Sequence, residues 1–169
     1  MDKLMLSVVV TACRDNACCY LTTFALKQQL ERSGIPHEII VVADGGTEWK
    51  WENQGIRCLR VNTGSPQGTR DAGIRAARFP NVLMIESHVI VSDVQRLFEE
   101  HHGRDAALTF PRRIAEGTEM FDVYAHETNW EGNLWYKRLV YEPVSDRPYR
   151  VAQFGHSCFV VDRNWYVAS

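Results

Sequence analysis

Long hydrophobic runs are missing from this chain. Its longest apolar stretches, such as Leu4 to Val10 interrupted by Ser7, fall well short of the roughly 18 residues a membrane-spanning helix needs. Met1-Asp2-Lys3 leads straight into a strand-like run, without the basic segment, apolar stretch and cleavage site of a secretory leader. Charge of one sign is lacking too. Nineteen Lys and Arg against 21 Asp and Glu leave a formal net charge of -2, which excludes a broad attraction to nucleic acid or anionic lipid. Only local patches, at Arg112-Arg113, Lys137-Arg138 and between Arg147 and Arg150, keep a nucleic-acid partner open. Five cysteines are an odd number, and Cys13, Cys18 and Cys19 crowd too closely for a disulfide framework. The expectation is a cytoplasmic protein with reduced thiols.

What is present suffices for one globular domain over residues 1–169. A chain of this length buries roughly two-thirds of its extended surface, and 45% hydrophobic with 24% charged residues suits a packed core rather than disorder.

The order of elements points to an α/β fold. Leu4 to Thr11 is a β-branched run expected to be buried on both faces. Asp15 or Asn16 can cap a helix that ends at Ser33-Gly34. Strands are expected over Glu38 to Ala43 and Ile56 to Val61, then a helix over Gly68 to Phe79 closed by Pro80. A strand at Asn81 to Ile85, a helix from Ser92 or Asp93 to His101 and a strand at Ala106 to Phe110 follow. This alternation predicts a mostly parallel sheet with helices on its faces. Residues 112–155 lose clean periodicity, and Cys158 to Asp162 returns to a strand.

Ligands of open parallel sheets bind beyond the carboxyl ends of the strands. Three such ends carry chemistry: Thr11-Ala12-Cys13-Arg14, Asp44-Gly45-Gly46 and Glu86-Ser87-His88. Asp44 can accept hydrogen bonds from a ribose or base, or simply start a turn. If the backbone stays extended at Ser87, Glu86 and His88 point the same way and together suit a divalent cation. A solvated, charged turn explains the same residues. Arg70, near a helix start, is a candidate phosphate contact or an ordinary surface ion pair beside Asp71. His156 is a candidate third metal ligand, with His126 a weaker rival. Trp49 and Trp51 are candidates to cover the nucleotide side of the cleft, and Trp130 and Trp135 suit a satellite core or an acceptor platform.

In this order the elements resemble the glycosyltransferase family 2 catalytic domain, the GT-A fold, a Rossmann-like sheet with helices on both faces. The likeness is carried by Ser7-Val8-Val9-Val10-Thr11-Ala12-Cys13-Arg14, by Glu38 to Thr47, by Thr69-Arg70-Asp71-Ala72-Gly73-Ile74-Arg75-Ala76-Ala77, by Val82 to His88, and by Gly155 to Arg163. Glu86-Ser87-His88 resembles the Asp-x-His metal motif of the polypeptide N-acetylgalactosaminyltransferases. The resemblance implies a metal-dependent glycosyltransferase with a nucleotide-sugar donor, UDP-linked, and an unidentified acceptor. Thr11, Ala12, Arg14, Asp44, Gly45, Arg70 and Ser87 would line the donor pocket. Glu86 and His88, joined by His156, would hold Mn2+ or Mg2+ against the diphosphate, and Glu86, His88 and Arg70 would carry the catalytic role. It also implies a nucleotide-binding half at 1–110 and an acceptor-side segment with the final strand at 111–169.

The departures are Ala43 for an aspartate, Glu86 for a shorter aspartate, and a C-terminus that falls about where inverting members carry their general base. The last suggests a truncated domain and favours a retaining over an inverting outcome. The alternatives are a non-catalytic nucleotide-sugar binding module and a nucleotidyltransferase. The absence of glycine in Thr11 to Asp15 counts against the second. The short sheet leaves room for a homodimer.

Overall fold

The computed structural model of the chain describes residues 5–13, 16–45, 54–89, 91, 93–101, 108–109, 123–125, 138–140 and 158–168. Arg14, Trp49, Trp51, His126, Trp130, Trp135 and His156 lie outside the described residues.

Strand β1 (Leu6–Cys13) is followed by helix α1 (Asn16–Ser33), β2 (His37–Asp44), β3 (Arg57–Val61), α2 (Pro66–Ala76), β4 (Asn81–Glu86) and α3 (Val94–His101). Short strands β5 (Leu108–Thr109), β6 (Val123–Ala125) and β7 (Arg138–Val140) precede β8 (Cys158–Asp162) and a final helix, α4 (Arg163–Ala168). One sheet has the order β3-β2-β1-β4-β8-β5, and β6 pairs with β7 in a separate antiparallel ribbon. Strands β3, β2, β1 and β4 run parallel, whereas β8 is antiparallel to β4. The chain forms two compact units, Met1–Leu108 with Ser157–Ser169, and Thr109–His156.

The core lies in the first unit. Val8, Val9, Val10, Ile40, Val41, Val42, Val82, Met84 and Ile85 are fully buried, as expected where helices cover both faces of a parallel sheet. Helix α1 packs on β1, β2 and α3, while α2 packs on β1 to β4 and on α4. Gly73 fixes how closely α2 approaches. A Cβ there would meet Val9 Cγ1 at 2.3 Å and Val42 Cγ2 at 2.8 Å, so any side chain would push the helix off the sheet. Among the described residues, no helix is long and apolar enough to cross a membrane.

The boundaries of α2 differ from expectation at both ends. The helix starts at Pro66 rather than Gly68, because Ser65 caps it by accepting from Gly68 N at 3.0 Å and Pro66 suits the first turn. It stops at Ala76 rather than Phe79: Ala77 N still bonds back into the helix, but the two amides after it are taken by side chains of the sheet. Arg78 N donates to Glu38 Oε1 at 2.6 Å and Phe79 N to Ser7 Oγ at 3.1 Å. Its last carbonyls then receive guanidinium donors, Arg163 Nη2 on Arg75 O and Arg57 Nη1 on Ala76 O. Helix α4 was not expected. Its signal is Asp162, whose carboxylate caps it by accepting from Trp165 N at 2.8 Å.

Candidate active site

Sheet order places the candidate site. The chain leaves β1 toward β2 and β3, then returns to lay β4 on the other side of β1. Ligands of such sheets bind at this reversal, beyond the carboxyl ends of the strands on either side of it. Register aligns Thr11 with both Val42 and Glu86, and Cys13 with Asp44. Paired residues share a face, so Thr11, Asp44 and Glu86 all point to the side covered by α2. Ala43, where the family pattern has its first aspartate, is buried on the opposite face.

Asp44 is anchored rather than open. Its carboxylate accepts from Thr63 Oγ1 at 2.6 Å, Thr69 Oγ1 at 2.8 Å and Thr63 N at 3.2 Å. The Thr63 and Thr69 hydroxyls hold its pKa below the ordinary carboxylate value, outweighing the upward push of burial. These bonds tie the end of β2 to the loop after β3 and to the first turn of α2. Gly68 allows the close approach, since a Cβ there would lie 2.8 Å from Thr63 Cβ. Gly45 follows with φ +82°, a left-handed conformation that turns the chain sharply out of the strand. Thr63 and Thr69 were not picked out as site residues. The signal available was a pair of threonines flanking the capped start of α2.

Glu86 and His88 do come together, though not by an extended backbone. Ser87 and His88 form a turn closed by Val89 N donating to Glu86 O at 3.0 Å. The turn folds His88 back so that its Nε2 lies 3.4 Å from Glu86 Oε2. Two bonds fix it from outside: Ser87 N donates to Thr11 O at 2.9 Å, and Thr22 Oγ1 of α1 donates to Ser87 O at 2.6 Å. Ser87 itself is buried, as are Thr11 and Ala12; Ala12 pairs with Ala43 and so lies on the opposite face from Thr11.

Arg70 reaches from α2 across to Glu86, where Nη2 donates to Oε1. Asp71 does not share it, because its carboxylate takes Arg75 Nε at 2.8 and 2.9 Å on the exposed side of the helix. The Arg70 and Glu86 side chains are 12% and 21% exposed, so this pair is much less solvated than a surface ion pair. Arg70 Nε is buried and has no hydrogen-bond partner among the described residues, an arrangement that favours an incoming acceptor.

The residues present fit a divalent cation in part. A carboxylate oxygen and an imidazole nitrogen 3.4 Å apart can occupy neighbouring positions on one small ion, and the mixed oxygen and nitrogen donors suit Mn2+. No cluster of three His, Cys, Asp or Glu side chains that could hold a metal occurs among the described residues, so Glu86 and His88 by themselves do not complete a coordination shell.

No protein-family sequence profile and no curated protein sequence matches the chain significantly. Solved structures do resemble it. One, crystallised as GalNAc-T7 with UDP, GalNAc and Mn2+, superposes with a TM-score of 0.68 at 14% identity, over 96% of this chain and 35% of that one. Another, residues 1–349 of S. aureus TarS, gives 0.54 at 16% identity, over 94% of this chain and 47% of that one. The chain thus spans between a third and a half of the length of these structures. What they share with it is architecture: the chain has the GT-A fold, a mostly parallel Rossmann-like sheet with helices on both faces.

Proposed function

We propose that this domain binds a nucleotide sugar, UDP-linked, beyond the carboxyl ends of β1 and β4 and transfers the sugar to an acceptor with the help of a divalent cation. The observation that carries the reading is the convergence of Glu86, His88 and Arg70 at the switch point of a GT-A sheet. The UDP, GalNAc and Mn2+ in the GalNAc-T7 crystal support the choice of donor and ion.

In this reading Glu86 and His88 hold Mn2+ or Mg2+, with His156 as a further candidate ligand. The ion, when bound, neutralises charge on the departing nucleoside diphosphate. Arg70 contributes a guanidinium to the same diphosphate. Asp44 orders the β2 end and Gly45 opens the backbone beside it, placing both next to the ribose and base, with Thr11, Ala12, Arg14 and Ser87 lining the pocket. Asp44 is a poor general base because its pKa is depressed, and Glu86 is engaged by Arg70 and His88. The other candidate bases, Glu116, Glu119, Asp122 and Glu127, lie outside the described residues, and a retaining reaction, which does not call for the inverting base, is the outcome we prefer.

The test is a thermal-shift screen of nucleotide sugars with Mn2+, Mg2+ or EDTA, followed by assay of hits for released nucleotide. Ligand at 100 times its Kd adds about 2.7 kcal/mol, or roughly 5–10 °C for a domain this size. A UDP-sugar should stabilise the protein more with Mn2+ than with EDTA, and Glu86→Ala or His88→Ala should remove that difference. Variants that keep it would refute the metal assignment. Binding without release of nucleotide would reduce the domain to a nucleotide-sugar binding module.

A further inference from the structure

The ion pair between Arg70 and Glu86 bears on the order in which ligands bind. Among the described residues Glu86 is the carboxylate that meets His88, and one of its oxygens already serves a guanidinium. A cation arriving alone must share that carboxylate with Arg70 or displace it. It would also do so within reach of a positive charge that is largely shielded from solvent. Arg70, in turn, is not fully served by Glu86: its Nε stays buried without a partner among the described residues. A diphosphate presents several charged acceptors and satisfies a guanidinium better than one carboxylate oxygen does. Loss of Glu86 to the metal and gain of the diphosphate by Arg70 therefore favour each other.

We infer that Arg70 is a latch on Glu86: it withholds the carboxylate from a divalent cation until a nucleoside diphosphate draws the guanidinium away. The inference rests on the donor site proposed above and adds an order of assembly, nucleotide and metal together rather than metal first. Linkage makes the effect reciprocal, so Glu86 equally withholds Arg70 from a metal-free nucleotide. Arg70 thus has two partners in turn, the Glu86 carboxylate before the nucleotide binds and the diphosphate after.

The experiment measures Mn2+ affinity by electron paramagnetic resonance and UDP affinity by calorimetry, on the full chain, each with and without the other ligand. Arg70→Gln should bind Mn2+ alone about tenfold more tightly than the parent protein, within the usual span of such couplings. Arg75→Gln removes the same charge from the exposed side of α2 and should leave that affinity within about twofold. Glu86→Gln should bind UDP more tightly in EDTA than the parent does, although it loses Mn2+. Melting curves of each variant confirm that it folds, and Arg70→Met, which also removes the charge while keeping the apolar stem, serves in place of Arg70→Gln if the latter does not. Unchanged Mn2+ affinity in the Arg70 variant, or an equal rise in Arg75→Gln, would overturn the latch. Failure of the parent protein to bind Mn2+ even with UDP present would instead overturn the donor site itself, so the two failures are told apart.

Discussion

Glu38 and Glu86 lie on the same face of one sheet, near opposite ends of its strands, and their surroundings differ in kind. Glu38, at the start of β2, accepts from Ser7 Oγ at 2.7 Å and Arg78 N at 2.6 Å, with Arg57 and Arg78 guanidiniums within 4 Å. Its oxygens serve the fold: they stop α2, join β1 to β2 and hold the segment entering β4. Glu86, at the end of β4, is met by Arg70 and His88. Each end has one buried guanidinium nitrogen without a partner among the described residues, Arg163 Nε near Glu38 and Arg70 Nε beside Glu86. What differs is the company: Glu38 is used up by groups of the fold, whereas Glu86 stands with an imidazole and a guanidinium at the carboxyl ends of the strands, where ligands of such sheets bind.

Substitutions should break that contrast in graded ways. The largest loss of stability is expected at neither glutamate but at Gly73, on which the seating of α2 over both ends depends. Gly73→Ala should cost about 3 kcal/mol, at the upper end for overpacking, because its methyl group would collide with Val9 and Val42 in the sheet. Urea denaturation measures this directly. Glu38→Ala should cost about 2 kcal/mol, since it strands the Arg78 amide and the Ser7 hydroxyl, yet leave nucleotide binding unchanged. Glu86→Ala should do the reverse, with a stability change within about 1 kcal/mol and loss of metal-dependent binding. If both glutamates moved stability alike and neither moved binding, the division between the two ends would collapse.

The smallest effect concerns acid. Asp44 has a folded pKa lowered from 3.8 by its threonine partners. Its contribution to stability is therefore present above that unfolded value and is lost as pH falls through the lower folded one. Stability measured from pH 5 down to pH 2 should fall more steeply in the parent protein than in Asp44→Asn. Parallel curves would mean that the threonine cluster does not hold the carboxylate in solution.

Much of the fold was legible in sequence because strands buried on two faces are written as unbroken β-branched runs. Leu4 to Thr11, Glu38 to Ala43 and Asn81 to Ile85 all fall within a residue or two of β1, β2 and β4. The site was legible as three chemically loaded strand ends, but the roles within it were not. Arg70 read equally well as a partner of Asp71, its neighbour in sequence, because nothing local says that β4 will bring Glu86 within its reach. Thr63 and Thr69 were silent for the same reason, as their partner lies in β2, far upstream.

Sequence alone determined which residue types stand at the strand ends and that the sheet would be mostly parallel, since hydrophobic period and turn chemistry are local properties. Only the tertiary structure decided which of those polar groups meet. The α2 helix is carried onto the sheet by a single glycine, and a turn after β4, rather than an extended strand, folds His88 back over Glu86. Such meetings are set by contacts between segments distant in the chain, which no local pattern encodes.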